Sequence, residues 1–566
     1  MKLLIRQYVA SLRERGELDA ILPDLLSELG YNVISRPSVG TRQYGVDIAA
    51  VGIDDDGERK LFLLSVKQGD LVRTEWEGSP QALRPSLDEV RQIYLRLRVP
   101  REYQSLKVVI CLCFGGEVHE SVQDNVTGYI EEHTSERLSF RQWNGDAIAG
   151  LLIKGILKQN LVAPELRSSF QKAVAMVDEP TVCFAHFSYL VRQLCELGNS
   201  SAQQRLTTLR QLYLCLWVLY VWARDADNVE APYLASEYVV LYGWRLIHGD
   251  LGKSTKASIE AGQAFNELVE LNFTIIDEFA KTKVFPHVEK LHAISMATES
   301  PAPVDVNVKV FDLFGRLALR GLWRLWLLDG ENPLPIAKKD WDNEEMRSLA
   351  QRLVHLIRNN PVLLSPIQDI QSVEVVLGLM LFAMQEQWRP AASNWLEALV
   401  ENFIFSYRTR GRYPTIRSNY RDILAHPEKS TDEYRKEHTA SSTLLPVMGL
   451  WTRRYNPESF AKLATFIEQD MSHCDFQLWL PDEDSEARLY RNEGNHGAML
   501  NGLPVTADPD SALQFIEAEC SADREFHKLS AIKMGHWPII LIACRHYRLP
   551  IPPNLWLELI RPDKRA

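Results

Sequence analysis

An aspartate and a lysine, each isolated in an apolar run, are the residues of this sequence best placed for chemistry. Asp47 stands in YGVDIAAV between Val46 and Ile48, and Lys67 closes KLFLLSVK two residues after Ser65. Burying either charge alone is costly, because its hydration is lost without return. Side chains alternate faces along a strand, so Ser65 and Lys67 share one side while Leu64, Val66 and Gln68 point to the other. The intervening IDDDGER carries an Asp-Gly turn signal and predicts a hairpin that brings the Asp47 carboxylate near the Lys67 ammonium. Two chemistries fit such a pair. One is a structural ion pair at a sheet edge. The other is a divalent-cation site, with the carboxylate as ligand and the lysine steadying an attacking water or the charge that develops on a phosphate.

The elements that must position this pair change in texture along the chain. Up to about Pro164, short β-rich runs (RPSVGTRQYGVDIAAV, KLFLLSVKQ, LKVVICLCF, RLSFRQW) alternate with helical stretches, the mixed signature of an α/β domain. From Glu165 onward the apolar residues fall at helical spacing, as in SYLVRQLCELG, LFGRLALRGLWRLWLL and NWLEALVENFIFSY. A large all-α region is therefore expected, interrupted at ATESPAPVDVNV, residues 297–308. Three segments follow: 1–164, 165–300 and 301–566. No fixed repeat period is evident.

The order of the chemical residues resembles a known family. GYNV at 30–33, then GVD at 45–47, then SVK at 65–67, is similar to the PD-(D/E)XK nuclease superfamily, and most similar to its Mrr-type restriction and Holliday-junction-resolvase-like branches. The resemblance covers roughly the first 160 residues and implies a restriction-endonuclease-like domain with a mixed central sheet flanked by helices. It also implies an acid on the opening helix about three turns before the Gly-Tyr pair, where Asp19 stands with Glu17 as its neighbour. LKVVICLCFGG looks like a further core strand, and SFRQWNGDAIAGLL like a last strand entering a closing helix. The family usually has Glu or Gln where this chain has Ser65, whose hydroxyl brings no charge and reaches less far. By this resemblance Asp47, Asp19 and the backbone carbonyl of Val66 would hold Mg2+ or Mn2+, with Ser65 on the metal-bound water and Lys67 offsetting charge at phosphorus.

Composition narrows the partners. The 566 residues carry a net charge of −11, with 46% hydrophobic and 24% charged residues, which argues against a protein that coats nucleic acid by bulk charge. Any phosphate site must be focused. The opening MKLLIRQYVASLRERGELDAIL lacks the pattern of a secretory signal, and the longest apolar stretch, residues 211–223, is shorter than the roughly 20 residues that cross a bilayer. Eight scattered cysteines suggest neither a disulfide framework nor a paired metal motif. A cytoplasmic protein without a membrane partner is expected.

Other segments invite chemical readings. HGDLGKST at 248–255 contains GKS but has Ile247 where a P-loop needs its first glycine, so nucleotide binding there is not expected. The run Asp54 to Asp56 reads as a solvated turn. SYRTRGRYPTIRSNYRD at 406–422 interleaves arginines with tyrosines, and Arg408, Arg410, Arg412 and Tyr413 are its nucleic-acid candidates. A basic loop packed on an acidic neighbour such as PDEDSEAR at 481–488 is the simpler reading. His473, Cys474, His496, His527, His536 and His546 show no zinc spacing.

The expectation is thus a metal-dependent DNA endonuclease domain joined to a helical region that senses a trigger, contacts a partner protein or controls assembly. The pairing resembles prokaryotic anti-phage effectors, in which a phage-derived trigger would release the activity. A homo-oligomer would supply two sites for two DNA strands. The alternative is a nuclease-fold scaffold or sensor that binds DNA or a partner enzyme without cutting.

Overall fold

The computed structural model describes residues 5–6, 9–10, 12, 14, 18–36, 44–155, 164–298, 300–328, 343–428, 431–506 and 509–561. They form two compact units, Met1–Ala235 and Ser236–Ala566.

The first unit is built on a five-stranded mixed sheet in the order β1-β2-β3-β4-β5, comprising Asn32–Ser35, Ile48–Ile53, Arg59–Lys67, Lys107–Phe114 and Leu138–Trp143. β2 runs antiparallel to both β1 and β3, and β3, β4 and β5 run parallel to one another. The IDDDGER hairpin forms because Gly57 takes a left-handed φ of 79° and Asp54 and Glu58 close the turn through a 2.8 Å backbone bond. β3 is central, and residues 60 to 66 are buried along its length, as expected of a strand covered on both faces.

Strand alternation sorts the two faces. Leu61 and Leu63 of β3 join Ala49, Val51, Ile110, Leu112 and Phe114 in one core, closed by Leu83 and Leu87 of helix α2 (Leu83–Glu89) and Val122 and Val126 of helix α3 (Glu120–His133). On the other face, the edge of Tyr31 meets the ring of Phe62 at 4.9 Å. Helices α1 (Asp19–Glu28) and α4 (Gly145–Gly155) pack against each other, the first also touching β2 and the second β5. α1 buries Ile21, Leu22, Leu25 and Leu26, spaced three to four residues apart as an amphipathic helix requires.

The first compact unit runs on to residue 235, and a buried ion pair joins its later helices to the sheet. Arg210 of helix α5 (Ala202–Asp225) reaches Glu28 at the end of α1 at 2.5 Å, with Asp24 3.8 Å away and Thr207 bonded to Glu28 at 3.1 Å. The first helices after the sheet are thereby tied to it. α5 is the one helix among the described residues long and apolar enough to cross a membrane, and 83% of its apolar window is buried inside the protein.

The second unit is mainly helical. Its long helix α7 (Pro303–Leu328) lies against α9 (Ser372–Ala383), every residue of which is buried. Helices α6 (Lys256–Phe279) and α8 (Asn343–Asn359) also pack on α7, and α10 (Arg389–Arg408) packs on α11 (Pro457–Asp470). Two small ladders interrupt the expected all-α pattern: Ser441–Ser442 with Asp475–Phe476, and Leu478–Leu480 with Ala498–Leu500. Strands of two or three residues leave too short an alternation to read from sequence. The GKS segment follows a helix, not a strand, and Thr255 caps α6 by accepting from the Ser258 N–H at 3.3 Å.

Candidate active site at the carboxyl end of strand β3

Three parallel strands end together, and their loops are stitched edge to edge. Gly116 N–H donates to Gly69 O at 2.8 Å, and Gly145 N–H donates to Gly116 O at 2.9 Å. Asp70 Oδ1 accepts from the Glu117 N–H at 2.8 Å, while Asn144 Nδ2 donates to Glu117 Oε2 and Arg6 Nη2 to Glu117 Oε1, both at 2.8 Å. Ligands of open sheets with parallel strands bind outside such carboxyl ends.

Asp47 enters from the neighbouring strand. Its N–H donates to Leu64 O at 2.9 Å, and its Oδ2 accepts from the Val66 N–H at 2.8 Å. Gly45 permits this approach: its φ is +77°, and a Cβ there would lie 2.1 Å from the Ser86 carbonyl oxygen of α2. The ladder pairs Ala49 with Leu63 and Ile48 with Leu64, so alternation puts Ser65 and Lys67 on the face of the Leu61–Leu63 core, which Val46 also joins. Burial pushes the Asp47 carboxyl up to about 6. The Val66 hydrogen bond and Lys67 oppose that rise, whereas the negative charges of Glu14 and Asp19 add to it.

The direct partner of Lys67 differs from the one expected. Glu14 holds the ammonium, with Nζ 3.0 Å from Oε1 and 3.2 Å from Oε2, while Asp47 acts on Lys67 through space. The lysine side chain is 12% exposed, so its charge is nearly withdrawn from water and requires this carboxylate. Sequence reasoning missed Glu14. RERGELD offers Glu14, Glu17 and Asp19 within six residues, and only the path of the chain before α1 selects among them. Asp19 sits in the first turn of α1 within electrostatic reach of Asp47, and Ser65 is 2% exposed. Glu17 lies outside the described residues.

Glu14 thus holds the lysine, and the charges of Glu14, Asp19 and Lys67 all act on the buried Asp47. A carboxyl raised by burial and by neighbouring negative charge is relieved when a cation binds, and carboxylate and carbonyl oxygens are the hard donors that Mg2+ and Mn2+ prefer. Among the described residues no three His, Cys, Asp or Glu side chains stand together as a ready ligand cluster, and Glu14 is committed to Lys67. The donors fit Mg2+ or Mn2+ in chemical type and charge, with Asp47 as the strongest.

The acidic turn is a structural device. Asp54 is 5% exposed rather than solvated, and binds Lys60 at 2.7 Å and Arg141 of β5 at 2.7 Å. Burial opposes ionisation of Asp54, but Lys60, the Asp55 N–H and Arg141 hold its carboxyl below the usual range.

In the second unit the arginine-tyrosine segment is folded onto its own neighbours. Arg408 binds Asp470 at 2.7 Å, Arg410 lies 3.7 Å from Asp432, and Arg412 donates to the Ile423 and Leu424 carbonyls at 3.0 and 3.2 Å. Tyr413 is fully buried, so its ring has no face to offer a base. The acids involved are Asp470 and Asp432, not those of 481–488. The free cysteines are all buried, and burial pushes the Cys113 thiol upward.

No protein-family model, curated protein or solved structure matches this chain.

Proposed function

We propose that the first unit is a metal-dependent endodeoxyribonuclease domain of restriction-endonuclease-like fold, and that the helical unit governs when it cuts. The observation that carries this reading is the buried Asp47 carboxyl beside Lys67, Glu14 and Asp19 at the carboxyl end of β3. A buried carboxyl raised by burial and by neighbouring negative charge, with a lysine beside it, suits a divalent cation at a phosphodiester.

Asp47, with Asp19 and the Val66 carbonyl, would hold Mg2+ or Mn2+, which supplies Lewis-acid polarisation of the phosphate and a more acidic bound water. The Val66 N–H fixes the Asp47 carboxylate through Oδ2, which would leave its other lone pairs for the cation. Lys67 offsets charge on the phosphoryl oxygens as water oxygen bonds to phosphorus and the bond to the leaving oxygen breaks. Glu14 orients the lysine, and Ser65 contributes a hydroxyl beside it. Asp47 must be ionised to act, so metal affinity falls as pH drops below about 6.

DNA is the proposed substrate and the cytoplasm the proposed compartment. A role in anti-phage defence, with a phage-derived trigger or partner protein acting on the helical unit, completes the proposal. A homo-oligomer would bring two sites to one duplex.

A second reading rests on Ser65 and Glu14. An uncharged residue at the usual Glu or Gln position, and a lysine already held by a carboxylate, suit a scaffold that retains the fold without cutting. Plasmid cleavage with Mg2+ or Mn2+ separates the two. Cutting by the native chain that Asp47→Ala and Lys67→Ala both abolish is the expected result; an inert native chain under both metals supports the scaffold.

A further inference from the structure

A chain of net charge −11 must hold DNA through a few exposed cations, and several arginines beside the sheet are already committed to carboxylates. Arg73 and Arg84 bind Glu77 at 3.3 and 3.2 Å, and Arg91 lies 3.3 Å from Asp88. Arg96 and Arg98 differ. Both are exposed, and among the described residues neither makes an ion pair or a side-chain hydrogen bond. Leu97 between them is 77% exposed, more than any other large apolar side chain among the described residues.

The three residues stand where a helix runs out. α2 continues through a π turn, Val90–Tyr94, into a last helical stretch, Leu95–Leu97. Val90 is buried, and Tyr94 and Leu95 pack on the core beneath, which anchors the helix while residues 96 to 98 reach into solvent. At about 100° per residue, Arg96 and Arg98 project to opposite sides of the axis with Leu97 between them.

This tip belongs to the same end of the sheet as Asp47. The Arg98 guanidinium lies over the Tyr44 ring, 5.2 Å from its centroid, and Tyr44 leads through Gly45 and Val46 to Asp47. Tyr94 shares a side-chain hydrogen bond with Ser35, which closes β1 opposite Ala49 at the start of β2. Tyr44 holds a left-handed φ of 52°, costly for a residue with a side chain, and Gly45 follows at 77°. The bent segment that presents the ring beneath Arg98 therefore runs directly into the proposed cation ligand.

A duplex groove matches such a tip. An apolar apex suits the sugar edges inside the groove, and a guanidinium on each side suits the phosphates of one strand. Stacking on Tyr44 holds the plane of Arg98 and leaves its edge N–H groups for phosphate oxygens.

We propose that Arg96, Leu97 and Arg98 enter a groove of duplex DNA and hold it by its two phosphate backbones. The choice of DNA as the partner of this tip rests on the nuclease reading.

Fluorescence anisotropy of a labelled duplex of about 20 base pairs, titrated with the full chain in EDTA so that nothing is cut, tests it. The native chain is expected to bind, and its affinity to fall steeply as salt rises. Arg96→Gln combined with Arg98→Gln should weaken binding about tenfold and lower the slope of log affinity against log salt by about 2, for two lost phosphate contacts. Leu97→Ala should weaken binding about threefold with the slope unchanged, a split that general damage to the fold would not produce. All three side chains are exposed, so the substitutions leave the packing intact, and Lys436→Gln in the helical unit should alter neither quantity. Asp47→Asn, which stops cleavage on the nuclease reading, should keep the native slope. A chain that cuts plasmid DNA while the double variant keeps native affinity and slope overturns the role of the tip and leaves the nuclease reading standing. Binding that depends on these residues in a chain that never cuts supports the tip and overturns that reading. No binding in about 50 mM salt with up to about 100 µM protein overturns the role of the tip.

Discussion

Two constellations of buried charge, one in each unit, were assembled under different rules. In the helical unit Glu237, Asp312 and Glu374 meet Arg316, Arg545 and Arg548, three acids against three arginines. Arg545 donates to Glu237 at 2.9 Å and to Asp312 at 2.7 Å, Arg316 donates to Asp312 at 3.1 Å, and Arg548 pairs with Glu374. Every charge there is answered. At the end of β3, Glu14 holds Lys67, and the Asp47 carboxyl, buried and with the negative charges of Glu14 and Asp19 acting on it, rises to about 6. Balance is what a structural network needs, because a buried ion without a partner destabilises the fold. Imbalance persists where a ligand completes the charge.

The largest effect that would sharpen this contrast is on activity. Asp47→Ala should lower Mg2+-dependent plasmid cleavage by about a thousandfold or more, since it removes the proposed principal cation ligand. Loss of activity with the fold intact, followed by circular dichroism, is the expected outcome.

Next in size is the balanced network. Glu237→Ala or Arg545→Ala should destabilise the helical unit by about 3–5 kcal/mol, because each leaves buried charge unanswered. Both side chains are 1% exposed. Denaturant midpoints check it, and a change below about 1 kcal/mol would break the comparison.

The sign reverses at the site. The Asp47 carboxyl titrates near 6 in the folded chain against an ordinary 3.8, so the folded state binds the proton more tightly. Its contribution favours folding below about pH 4 and is lost as pH rises through 6. Asp47→Asn, which keeps an acceptor for the Val66 N–H, should therefore stabilise the protein at pH 8 by on the order of 2 kcal/mol and flatten the stability profile between pH 4 and 6. Thermal unfolding across pH reads both.

The smallest effect belongs to the arginine loop. Arg408 is half exposed, and Arg408→Ala should cost no more than about 1 kcal/mol while leaving DNA affinity unchanged in a gel-shift titration.

The sheet was legible in the sequence because its signals are local. An Asp-Gly turn between two apolar runs places β2 against β3, and alternation then assigns Ser65 and Lys67 to one face. The partner of Lys67 was not legible, because Glu14 comes from 53 residues away and no spacing rule connects a residue ahead of α1 to the end of β3. Tyr413 misled through composition, since an interleaved tyrosine says nothing of burial.

The nuclease proposal stands on a divalent cation binding at the buried Asp47 carboxyl. Calorimetric titration of Mn2+ into the native chain and into Asp47→Asn at pH 7 tests it most directly. The account predicts one binding event in the native chain, weakening as pH falls below about 6, and none at that site in the variant. Equal uptake by both proteins, or none by the native chain, would contradict it.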